Sequence, residues 1–245
     1  MNAETISQWN AKRGMMLACQ ALAYALFIVT GVIWAVAGAG AGIFADIITI
    51  VLMVAVLAVF HWYWPFRATV IDRAIGCVAG LLSIVVVTSP AAGNLLVPMS
   101  EAIERSPLQY EMHAETQWAA AVAGLLVLLT IVSFARQMLR EERSHLIRAL
   151  SHCVTGGAAS IALAGWYFIP YVVSGAFTLQ PALFAGIIVV MVLFVLVLAF
   201  GSVWWLKELD PDPAVRAPWV GVAMLPVMLY GLVVFAAALV VQLAA

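Results

Sequence analysis

Three histidines, His61, His145 and His152, fall near the ends of apolar stretches. Two imidazoles on different helices at one membrane depth could supply the opposed axial nitrogens of a b-type haem. His61 and His152 are that candidate pair; His145, seven residues before His152, would share its helix face. Both depths are interfacial, where a histidine is easily accommodated, and no second pair stands at the opposite ends. No cofactor is expected on balance.

Asp46 is the one acid placed inside an apolar stretch, about one turn from its start. A carboxylate within a membrane is expensive and is a functional candidate by default. At that depth it could also reach the nearby surface beside the glycine-rich stretch 38–42. The segment 92–116 collects Glu101, Glu104, Glu111, Glu115 and His113. Such donors could hold a divalent cation if they converged, and an acidic solvated loop accounts for the same residues. Ser100 is expected to open a short helix that Pro107 stops.

The most distinctive polar feature is 136–148. Arg136, Arg140 and Arg143 recur at helical spacing, Glu141 and Glu142 lie beside them, and Arg148 follows. Basic side chains at an anionic lipid surface gain ~1 kcal/mol each, and the same cluster could dock a cytosolic or membrane protein. The fourth helix is expected to run on past the membrane and turn near Ser144. Asp210-Pro211-Asp212-Pro213 resembles a D-x-D metal motif, but its paired prolines make it a stiff turn. No phosphate-binding loop, H-E-x-x-H or G-x-S-x-G occurs. No basic and aromatic surface suggests nucleic acid.

The elements that carry these residues follow from composition. The chain has 245 residues, 66% hydrophobic and 9% charged, against about a quarter charged in soluble domains. So few charges cannot solvate a globule of this size. The apolar residues come in blocks without a half-buried period, and lipid is the solvent that fits. Cys19, Cys77 and Cys153 each sit inside a block and suit helix packing better than a disulfide framework.

A span needs ~20 apolar residues to cross ~30 Å of hydrocarbon. Seven stretches meet or approach this: 14–37, 43–64, 74–91, 117–135, 150–170, 182–205 and 219–243. The expected fold is an all-α, polytopic transmembrane helix bundle forming a single integral membrane domain over 1–245. With the N-terminus in the cytoplasm and the C-terminus outside, every lysine and arginine except Arg105 falls in an inner segment. That asymmetry is the positive-inside rule, and a miscounted span would break it. A multi-pass cell-membrane protein of bacterial type is expected.

Trp34, Trp62, Trp64, Trp118, Trp166, Trp204, Trp205 and Trp219 fall at or near expected span ends, which suits an interfacial belt. Trp9 stands outside, in a stretch that could lie along the inner surface. Thr69 and Asp72 form a capping box before the third span. Pro181 suits the first turn of the sixth, Pro90 and Pro170 suit terminators, and Pro226 lies inside the seventh. Lys12, Arg13 and Ala35-Val36-Ala37 frame the first span like a signal peptide. Its core is longer than the usual ~7–15 residues, which favours a retained helix.

Helices in lipid associate through close packing and a few polar contacts. Gly76 and Gly80 form a GxxxG in the third span, and Gly156, Ser160 and Ala164 form a small-residue seam in the fifth. Ala120 and Gly124 are a weaker seam in the fourth. The third and fifth helices are expected at the centre. Short loops and few intramembrane charges point to a non-catalytic, permease-like or transport-associated subunit working with partners. The alternatives are a membrane-embedded redox or haem protein or lipid-modifying enzyme using His61 and His152, and a scaffold or assembly factor.

Overall fold

The computed structural model describes residues 3–37, 39–66, 69–139, 146–207, 215 and 217–245. All secondary structure among them is helical. In chain order it comprises α1 (Ala3–Ala37), α2 (Ala39–Trp62), α3 (Val70–Thr88), three short helices α4 (Pro90–Leu96), α5 (Glu101–Glu104) and α6 (Pro107–Glu111), α7 (His113–Met138), α8 (Leu146–Ala162), a 3-10 segment (Leu163–Phe168), α9 (Ile169–Thr178), α10 (Pro181–Lys207) and α11 (Pro218–Ala244). Seven stretches are long and apolar enough to cross a membrane; the fifth comprises α8, the 3-10 segment and α9 together.

Several boundaries differ from the sequence expectation. The first helix runs unbroken from Ala3, so Trp9 is helical, while the apolar span within that helix begins at Lys12. Pro170 does not end the fifth span. It sits in the first turn of α9, and the span continues to Thr178. Proline cannot donate to the carbonyl four residues back and its ring clashes there. The preceding turn therefore tightens to 3-10 bonding, with the Ile169 N–H donating to the Trp166 carbonyl. Pro90 likewise opens α4 directly after α3 closes at Thr88, with the Ser89 hydroxyl accepting from the Ala92 N–H. Ser100 caps α5 as its sequence suggests, while Pro107 opens α6. The capping box at Thr69 and Asp72 is present.

The centre of the bundle also differs. The fifth and seventh spans are the most buried: 61% of the most apolar stretch of each is buried, against 39% for the third. The seventh takes the place expected for the third because its glycines admit other backbones. A methyl on Gly231 would overlap the Ala162 carbonyl, and one on Gly221 would overlap that of Tyr63. The third helix still packs closely on the fifth: a methyl on Gly80 would lie 2.9 Å from Ser160 Cβ, and one on Gly76 3.4 Å from Gly157 Cα. Gly124 faces open space, and Ala120 is exposed, so the fourth span makes no seam there. At the other extreme, only Met191, Ser202 and Leu206 are buried among the described side chains of α10. Its unbroken apolar run has no preferred face, which suits a helix surrounded by lipid.

Trp64, Trp118 and Trp166 are completely buried, so they are interior pillars and not members of an interfacial belt. Trp62 and Trp204 do point outward. Phe27 stacks on Trp166 with centroids 4.6 Å apart, and Tyr24 and Tyr230 close around the same indole. The Trp166 Nε1 donates to the Val227 carbonyl at 2.8 Å, joining the broken part of the fifth span to α11.

Candidate functional site

Polar groups gather at both ends of the bundle, on opposite sides of this aromatic core. At the end nearest the short helices, α7 starts at His113, four residues before its apolar run. Two of the loop residues with ligand chemistry, His113 and Glu115, are therefore helical and buried, not solvated. The extra turn forms because its polar side chains find partners. The Gln117 amide nitrogen donates to Asn94 Oδ1 at 2.7 Å and lies 2.8 Å from His113 Nε2 and 3.1 Å from the Val97 carbonyl. Gly93 makes room, since a methyl there would overlap the Gln117 amide.

On the opposite face of the helix, two residues from each of His113 and Gln117, Glu115 is only 1% exposed. Its Oε1 accepts from the Gln242 amide of α11 at 2.7 Å, while Oε2 is buried without a hydrogen-bond partner. Tyr171, from α9, lies within electrostatic range of both Glu115 and Asp46. Asp46, half-buried on α2, lies near Trp34 and Tyr167. The ring of Tyr171 in turn contacts that of Trp34 at 6.2 Å. Asp46 and Glu115, from different spans, thus lie near Tyr171 just beyond the 3-10 segment, and Asp46 also lies near Tyr167 within it. Glu101 does not join them: it forms an exposed ion pair with Arg105 at 2.8 Å. Among the described residues no three His, Cys, Asp or Glu side chains form a metal-holding group.

The opposite end is organised by Asp72. Its Oδ2 accepts from the Thr69 N–H and hydroxyl at 3.0 and 2.8 Å, and Gln137 reaches Oδ1 at 3.4 Å. Cys153 packs alongside, its Sγ 3.8 Å from the Asp72 carbonyl and 3.2 Å from Ser133 Oγ. Asp72, Gln137, Ser133 and Cys153 are all buried, so α3, α7 and α8 are fastened together there by polar contacts.

His61 and His152 are linked by a chain of ring contacts through Trp64 and Phe66, with Phe66 stacked on His152 at 4.8 Å. The His61 Nδ1 bonds to the Leu57 carbonyl at 2.9 Å, and a methyl on Gly76 would lie 3.2 Å from its Nε2. That nitrogen therefore faces the α3 backbone at Gly76.

The remaining residues singled out by sequence take varied positions. Arg136 is half-buried at the end of α7, with its Nε buried and without a hydrogen-bond partner; Arg148 is exposed on α8. Arg140, Arg143, Glu141, Glu142, Ser144, His145 and the segment 210–213 lie outside the described residues. Gly156 lies against the Trp64 indole, the Ser160 hydroxyl donates to the Gly156 carbonyl at 2.8 Å, and Ala164 is buried in the 3-10 segment.

No family model, curated protein or solved structure matches this chain. Functional inference therefore starts from the geometry of these clusters. Sequence reasoning placed Glu115 among the loop acids and missed its partner Gln242, 127 residues away. The available signal was that both flank apolar runs at the same end of the bundle, so each could face inward.

Proposed function

We propose that this multi-pass membrane protein is a permease-like, non-catalytic component acting with protein partners, and that its working site surrounds Glu115. The supporting observation is a fully buried carboxylate at one end of the bundle with a single amide partner. Leaving an acceptor unsatisfied away from water costs about 1–3 kcal/mol, more when it is charged. Such a group is well suited to exchanging a proton or a small cation.

Two further features favour this class. Tyr171 and Asp46 extend the cluster from the fourth and seventh spans to the second and fifth. The fifth span is also interrupted close by, and interrupted helices are a recurrent element of transporter binding sites.

Reconstitution tests the assignment. Purified protein, with any partners that accompany it, is placed in liposomes containing a pH-sensitive dye, and a potassium diffusion potential is imposed. Wild-type vesicles should change internal pH faster than empty ones. Glu115→Gln should abolish the difference, whereas Glu101→Gln should preserve it. Wild-type vesicles no faster than empty ones would remove the basis for placing the site at Glu115.

A further inference from the structure

Along α3, Ile71, Ile75, Val78 and Leu82 recur at helical spacing on one stripe; Leu125, Leu128 and Val132 do the same on α7. The two stripes form the walls of an open apolar groove of about 340 Å³, with buried Ala79 and Leu129 at its floor. Its walls are lipid-exposed: Val78 is 54% and Leu128 57% accessible. From Ile71 to Leu82 the groove runs ~16 Å at 1.5 Å per residue. That is about half of a ~30 Å hydrocarbon layer, so the groove is one leaflet deep.

One end of this groove carries a charge. Arg136 lies four residues beyond Val132, on the same stripe of α7. It is half-buried, and its Nε has no hydrogen-bond partner in the structure. The nearby buried carboxylate, Asp72, is engaged by Thr69 and Gln137. A leaflet-deep apolar slot ending at a half-buried guanidinium matches an acyl chain joined to a phosphate. Guanidinium is also the side chain best shaped to bind phosphate through paired donors.

We propose that the groove between α3 and α7 binds one anionic phospholipid, its acyl chain on the Val78 and Leu128 walls and its phosphate on Arg136. The site is independent of the Glu115 assignment, because it lies at the other end of the bundle and faces lipid.

Native mass spectrometry of the purified full chain tests this, with equal amounts of dioleoyl phosphatidylglycerol and dioleoyl phosphatidylcholine added. The wild type should retain the anionic lipid about five-fold more, as ~1 kcal/mol per basic residue implies. Arg136→Gln should equalise the two lipids and Arg136→Lys should keep part of the preference. Val78→Phe, which obstructs the groove, should reduce retention of both. Arg105→Gln, at the opposite end, should change nothing. Equal retention of both lipids by the wild type would overturn the proposal, as would a preference that survives Arg136→Gln. Unchanged retention by Val78→Phe, or a second copy of the chain occupying the groove as a dimer, would also overturn it.

Discussion

Gly165 and Gly231 touch backbone to backbone where the fifth and seventh spans cross: a methyl on Gly165 would overlap the Gly231 carbonyl. The contact falls inside the 3-10 segment, so a backbone-to-backbone approach in the core coincides with the break in the fifth helix. Nearby, Trp166 anchors the same pair of elements through its bond to Val227. Helix association in lipid depends on such close contact, because burial from water is not available as a driving force between spans.

Gly165→Ala and Gly231→Ala should each destabilise the bundle by about 1–3 kcal/mol or more, the range for overpacking a tight core. Backbone atoms cannot swing aside as a side chain can. Gly124→Ala, where an added methyl meets nothing within 4 Å, should stay within about 0.5 kcal/mol of wild type. Thermal unfolding in detergent, followed by loss of monodisperse protein, gives the comparison. Equal midpoints for all three variants would contradict the packing described.

A second set of bonds crosses the core through Ser83. Trp118 Nε1 donates to Ser83 Oγ at 3.0 Å, and the Ser83 hydroxyl donates to the Ile161 carbonyl at 2.8 Å. Ser83→Ala interrupts both at once and should cost about 1–3 kcal/mol, the range for stranding buried partners. Trp118→Phe removes one donor and some packing. Because the residues share one relay, the double variant should lose measurably less than the two single losses combined. Strict additivity would show that the bonds act separately.

At Glu115, shape and charge can be separated. Glu115→Gln retains an oxygen for Gln242 and should leave stability within about 0.5 kcal/mol. Glu115→Leu strands the Gln242 amide and should cost about 1–3 kcal/mol. If Leu and Gln were tolerated equally, the bond to Gln242 would contribute nothing to holding α7 against α11.

Orientation is open to chemical labelling. Ser100 and Ser151 are exposed at opposite ends of the bundle. On the distribution of basic residues, Ser100→Cys should react with a membrane-impermeant maleimide in intact cells. Ser151→Cys should react only after permeabilisation. The reverse pattern would invert the topology expected from charge.

The sequence by itself determined that the chain is helical and crosses a membrane seven times. The length of an apolar run is a local quantity, and the thickness of a bilayer sets what that length must be. The cap at Thr69 and Asp72 was legible for the same reason, since both partners lie within one turn. Which spans form the centre was decided by the tertiary structure, because small residues are frequent in every span and only their partners distinguish them. Gly124 and Gly231 look alike as letters, yet one faces open space and the other a carbonyl. Glu115 looked like a loop acid until folding placed Gln242 beside it. Burial of a polar group depends on what approaches from distant parts of the chain, and no local pattern encodes that approach.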